Sequence, residues 1–273
     1  MAPMLLSMAR ETILWPSAAA LAAMLLGLLL RDARFRPVVS AIATGAGFLV
    51  GYTLIYGTFA FPPIEPQGWL PALLAVNILI FSFDDLAGFS PKIRIALQGA
   101  LSIAGSALIL LPLFKTGFPA LQLALSSLLW FGLWIALDGR NGPPVLFPVA
   151  AGNAIVSATT GSTMLGQLGG VLAAVLGWQL AFNFPKSRIP LGHAGTAVAV
   201  TILAGLMLIG HAYAETAFIP SLLLLCAIPA DLLGKHLSRN RKSLEMVICG
   251  ALALVPVVIA SAIAIRSYLA QEY

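Results

Sequence analysis

The chain has 273 residues, 60% of them hydrophobic and 9% charged, with a formal charge of +5 and a mean hydropathy of +0.97. A soluble domain carries about 25% charged residues, so this composition excludes a water-soluble enzyme and leaves a polytopic membrane protein with little soluble mass. Lipid offers the backbone no hydrogen bonds, and the apolar runs are continuous rather than alternating, so helices are expected and a β-barrel is not.

In chain order the apolar runs predict an all-α fold of ten transmembrane helices, at 12–30, 38–59, 69–83, 93–111, 121–137, 145–160, 163–182, 194–213, 217–233 and 244–265. They form a single integral membrane domain over 1–273. Several are close to the short limit of about 17 residues. The first has neither a basic start nor a small-residue cleavage site, which predicts a retained span rather than a signal peptide. Only TTGST, residues 159–163, divides the sixth from the seventh. Cys226 and Cys249 fall inside apolar runs and read as small buried hydrophobes.

Ten spans put both termini on one side. The loops on the other side are RDARFRP (31–37), DDLAGFSPKIR (84–94), DGRNGPP (138–144), NFPKSRIPLGH (183–193) and GKHLSRNRKS (234–243), and together they hold 12 of the 15 Lys and Arg residues. Positive charge marks the cytoplasmic face, so these five loops are expected in the cytoplasm and both termini outside. The outer loops AFPPIEPQG (60–68) and KTGFPA (115–120) are short and chemically plain. Topology accounts for the basic balance, and nothing implies a nucleic-acid partner.

The cytoplasmic loops also gather the polar chemistry. Asp84 and Asp85 are adjacent at the end of an apolar run, although the chain has only ten acidic residues. Carboxylates beside hydrocarbon need water, a counter-charge or a metal, and two neighbours repel unless a cation balances them. Hard oxygen ligands of this kind suit Mg²⁺ with substrate phosphates. Lys92 and Arg94 follow as anion-binding cations, and Pro91 suits the first turn of the next helix. As an ordinary charged loop the same stretch would simply hold the topology. Asp138, Asn141 and the flanking glycines make a second patch, which alone reads as a turn. A third combines Asn183, Lys186, Arg188 and His193 before GHAGT, a helix start suited to phosphate. A fourth carries Lys235 and His236, which topology and anionic lipid also explain.

The stretch DDLAGFSPKIRIALQ resembles the DDxxxxxPKxRxxxQ signature of the polyprenyl-phosphate N-acetylhexosamine-1-phosphate transferases, the enzymes that begin lipid-linked cell-wall and envelope polysaccharide precursors. ALDGRNG sits where that family has N-x-x-D-G-x-D-G, and FNFPKSRIPLGHAGT resembles its N-F-P-P-A-K-x-F-M-G-D-x-G-S stretch. The likeness spans roughly residues 70–235. It implies transfer of a sugar-1-phosphate from a UDP-sugar to a polyprenyl phosphate, releasing UMP, in the bacterial cytoplasmic (inner) membrane, with a homodimer as the expected assembly. Carried over residue by residue, Asp84, Asp85 and Asp138 are the catalytic acids. Lys92, Arg94, Gln98, Asn141, Asn183, Lys186, Arg188 and His236 contact phosphate or substrate. Asp85, Asp138 and His193 hold Mg²⁺, or Mn²⁺ given the imidazole.

The departures are specific. Asn141 stands for the family's second DG aspartate, and His193 for its metal-binding M-G-D aspartate. The glycine-rich element after the first span is missing, and the histidine-rich loop is reduced to His236. Two readings follow: a divergent transferase with a rebuilt site, or a degenerate relative that binds a prenyl-phosphate lipid or a partner protein without turnover.

Overall fold

Short turns link a run of helices in the computed structural model, which describes residues 2–30, 32–115, 117, 120–137, 142–184, 188–238 and 242–271. In order these are α1 (Ala2–Ala9), a π-helical turn over Arg10–Leu14, α2 (Trp15–Leu28), α3 (Arg36–Tyr56), α4 (Trp69–Ala87), α5 (Pro91–Leu110), α6 (Ala120–Leu137), α7 (Pro143–Thr160), α8 (Thr163–Asn183), α9 (Gly192–Tyr213), α10 (Phe218–Leu225), α11 (Ala230–Leu237) and α12 (Lys242–Gln271). No strand occurs among the described residues. Nine helical segments there are long and apolar enough to cross a membrane, so the chain is a polytopic helical membrane protein. The expected sixth span is the helix α7, which is not among the nine; its 18 residues include Asn153, Ser157, Thr159, Thr160 and three prolines.

The division at 159–163 is a tight reversal. Gly161 and Ser162 donate their N–H groups to the Ser157 carbonyl, and Ser162 Oγ caps Leu165 N–H at 3.5 Å. The two helices then run back along each other on small residues. A Cβ on Gly166 would stand 2.8 Å from the Ala154 carbonyl oxygen, and one on Gly169 would stand 3.0 Å from Ala154 Cα. Without a hydrophobic drive between helices in lipid, such close backbone approach is what holds a hairpin together.

At the centre lies α9. Every residue from Ala194 to Leu206 is buried, as expected of a helix apolar on all sides. It packs on α3, α4, α5, α6 and α8. The main core of buried side chains runs from α3 to α12, and a smaller cluster joins Ala20, Met24, Ala43, Val175 and Ile189.

Of the boundaries that differ from the sequence expectation, three change the reading most. First, α4 continues through Asp84 and Asp85 to Ala87, so the acids sit in a helix rather than a loop; Gly88 ends it at φ +74, donating to the Asp84 carbonyl at 2.8 Å. Second, the span 217–233 is two helices with a tightened turn before Pro229, which lacks the N–H that would continue α10. Third, α12 is 30 residues long, beyond the expected 244–265. Cys249 is buried as expected, whereas Cys226 is exposed on the outer surface of that turn.

Candidate functional site

Neighbouring helical residues point about 100° apart, so the two acids at the end of α4 face different partners. Asp84 points to α5. Its Oδ2 accepts from Arg94 Nε at 2.5 Å, and its Oδ1 from Arg94 Nη2 at 3.1 Å and from the Phe89 backbone N–H at 2.7 Å. The Asp84 side chain is fully buried. This is a two-pronged carboxylate–guanidinium pair, the geometry that makes Arg the suited partner. The segment Arg94 rides on is fixed locally: Ser90 Oγ caps Ile93 N–H at 3.4 Å, and Pro91 starts α5.

Asp85 reaches α9 instead. Its two oxygens accept from the backbone N–H groups of His193, at 3.0 Å, and Ala194, at 2.9 Å. A carboxylate thus occupies the anion-favouring start of α9. Gly192 makes room for it at φ +64, where a Cβ would meet Pro37 Cβ at 2.5 Å and Asp85 Oδ2 at 2.8 Å.

The third patch arrives at the same place. Asn183, buried at the end of α8, donates to the carbonyls of Gln179, at 2.8 Å, and Ile189, at 2.7 Å; its Oδ1 accepts from the N–H groups of Arg188 and Ile189, both at 3.0 Å. It ties the end of α8 to Arg188 and Ile189 rather than presenting itself to a ligand. Arg188 is exposed, and its carbonyl accepts from Arg36 Nη1 at 3.5 Å. Lys92 is exposed on the first turn of α5, and Gln98 is buried one turn beyond Arg94. Asp138, Asn141 and Lys186 lie outside the described residues. The flank of the second patch belongs to this end nonetheless: a Cβ on Gly142 would lie 3.4 Å from a Leu191 methyl and 4.0 Å from Thr196 Oγ1. His236 is exposed on α11 and is a helix residue, not a loop one.

The first and third patches are therefore joined directly, through Asp85 and α9. Two further residues matter here. In the sequence Arg36 reads as a topology charge, yet its Nη1 reaches the Arg188 carbonyl. Asp231 is buried in α11 next to Cys249, whose Sγ lies 3.9 Å from its Oδ1; a lone acid inside an apolar run was a usable signal.

The described donors fit a hard dication poorly. All four oxygens of Asp84 and Asp85 already accept hydrogen bonds, from a guanidinium or from backbone N–H groups. Among the described residues no three His, Cys, Asp or Glu side chains come together as a metal site. What the arrangement offers chemically is cationic and donor-rich. No described carboxylate pairs with Arg36, Lys92 or Arg188, whereas the N–H groups of His193 and Ala194 at the start of α9 are taken by Asp85.

Comparison of the sequence with protein-family models and with curated proteins finds no match.

Proposed function

We propose that this end of the bundle binds the phosphate head of a polyprenyl-phosphate lipid without metal and without turnover, in a degenerate relative of the polyprenyl-phosphate sugar-1-phosphate transferases. One observation carries the reading: Asp84 is bound by Arg94 and Phe89, and Asp85 by the start of α9, so the acids of the motif brace helices. The neighbouring Arg36, Lys92 and Arg188 stay available to an anion, and Arg36 and Arg188 are already in contact. The membrane-spanning helices give the prenyl tail a lipid surface on which to lie. This reading places the site at the cytoplasmic face of a bacterial inner membrane, following the distribution of Lys and Arg.

A second reading is favoured by the contact of Asp85 with His193 and Ala194, which joins two of the transferase-like patches. In it the acids leave their present partners when a UDP-sugar arrives, and the chain transfers a sugar-1-phosphate to the lipid. The test uses the full chain in nanodiscs with EDTA and a short polyprenyl phosphate, read by native mass spectrometry. Retained lipid binding that Lys92→Ala with Arg188→Ala weakens at least several-fold supports the binding reading. Absence of lipid binding rejects both. Mg²⁺- or Mn²⁺-dependent UMP release from a panel of UDP-sugars, abolished by Asp85→Asn, overturns the first reading in favour of the second.

A further inference from the structure

We propose that the groove between α5 and α6 holds one acyl chain of an anionic phospholipid from the leaflet opposite the Asp84–Arg94 site, with Lys115 at the phosphate of its head. The inference does not depend on the functional reading above, because the groove stops short of that site.

The groove has a volume of about 550 Å³, within the range of small-molecule sites. Gly99 and Ile103 line it from α5, and Ala120, Ala124, Leu128 and Phe131 from α6. Steps of four and three residues put each set on one face of its helix. Small residues make the hollow: a Cβ added to Gly99 would meet nothing but the Phe131 ring, at 3.7 Å. On an adjoining face the two helices close up, and Trp130 covers Gly105 so tightly that a Cβ there would come within 2.7 Å of its ring. Ile103 and Leu128 are exposed, so the open side of the groove faces the membrane. Ser127 is the one polar side chain in the lining, too few partners to hold water. A hollow left empty in hydrocarbon forfeits dispersion contacts, and a lipid chain restores them.

Depth decides which lipid. The groove starts at Ala120, the first residue of α6, and runs to Phe131, about 16 Å at 1.5 Å per residue. One leaflet's share of the hydrocarbon core is about 15 Å. On α5 the groove ends at Gly99, about 12 Å short of Pro91 at the Asp84–Arg94 end. Its length is therefore that of one leaflet, entered from the end where α6 begins. Lys115 ends the 3-10 turn Leu111–Lys115 after α5 and precedes the start of α6. It is exposed and pairs with no described carboxylate. A compact cation beside the entrance of an apolar groove complements a phosphate head carried on an acyl chain.

Photolabelling tests the proposal on the full chain in nanodiscs, with phospholipids that carry a diazirine at mid-chain and labelled peptides mapped by mass spectrometry. With a phosphatidylglycerol probe, residues 99–103 and 120–131 are expected to be labelled several-fold more than Val255, Val258 and Ile259, which are exposed to bulk lipid on α12. Gly99→Leu fills the hollow and is expected to lower this labelling several-fold; Ala124→Leu serves if that variant does not accumulate. Lys115→Ala is expected to lower labelling by phosphatidylglycerol about five-fold, the factor for one charge at a membrane surface, and to leave labelling by phosphatidylcholine unchanged. Labelling no greater than that of α12, or unaltered by both leucine variants, would overturn the bound chain. Labelling by phosphatidylglycerol that ignores Lys115→Ala would overturn the anionic head. Displacement of the probe by a polyprenyl phosphate at lower concentration would overturn the proposal in favour of a prenyl tail. A dimer in native mass spectrometry that Gly99→Leu dissociates would overturn it in favour of a second copy.

Discussion

Two reversals between packed helices solve the same geometric problem with opposite chemistry. Between α7 and α8 the chain turns on Gly161 and Ser162 with backbone N–H groups, one hydroxyl cap and no charge. Thr160 Oγ1 adds a bond from the Ala217 N–H at 3.2 Å, tying that turn to the start of α10. Between α4 and α5 the chain turns on Gly88, and the reversal carries a buried Asp84–Arg94 pair and the link from Asp85 to α9. The first turn shows that this fold needs no ion to reverse its direction. The charges of the second therefore do something other than turning the chain: they lock α4, α5 and α9 to one another and set the cations around them.

Breaking the ion pair is the sharpest way to test that difference. Arg94→Leu leaves the Asp84 carboxylate buried with the Phe89 N–H as its one remaining described hydrogen-bond donor, and removing one partner of a buried pair costs about 3–5 kcal/mol. Thermal unfolding in detergent is expected to show the largest loss here. Asp84→Leu combined with Arg94→Leu is expected to recover most of it, because replacing both charges by apolar groups is often neutral. A double variant as unstable as the single one would mean that the pair is not the brace.

The link from Asp85 to α9 ranks second. Asp85→Asn keeps one acceptor for the N–H groups of His193 and Ala194 but loses the charge that favours a helix start, an effect of about 1 kcal/mol. The loss is expected to shrink at high salt, since Asp85 is only half-buried. Stability unchanged in Asp85→Asn would assign the acid to a ligand rather than to α9.

Much of this was legible in the residues themselves. Composition alone leads to helical membrane spans, and TTGST marks the α7–α8 reversal, although on the apolar runs alone it is the weakest of the divisions. The end shared by the 84–94 and 183–193 segments was also expected, from the side on which the basic residues fall. The partners of the acids were not. Sequence spacing puts Arg94 ten residues after Asp84, but nothing in the spacing says that Gly88 turns α5 back so that the two meet. Nor does it say that Asp85, 108 residues before His193, closes the start of α9. Metal ligation and helix bracing ask for the same residue type, and only the positions of neighbouring donors separate them.

The uncharged turn supplies the smallest expected effect and the control for the rest. Ser162 Oγ lies 3.5 Å from Leu165 N–H, a long and therefore weak cap. Ser162→Ala should cost about 0.5 kcal/mol, the lower limit for a helix cap, because Gly161 and Ser162 keep their backbone bonds to Ser157 and the glycine contacts of α8 stay intact. The same unfolding assay reads it beside Arg94→Leu. If the two losses were equal, the neutral turn would be as tightly built as the charged one, and the contrast between them would carry no meaning for function. A loss several-fold smaller at Ser162 leaves the charged reversal as the place where this membrane bundle concentrates its polar interactions.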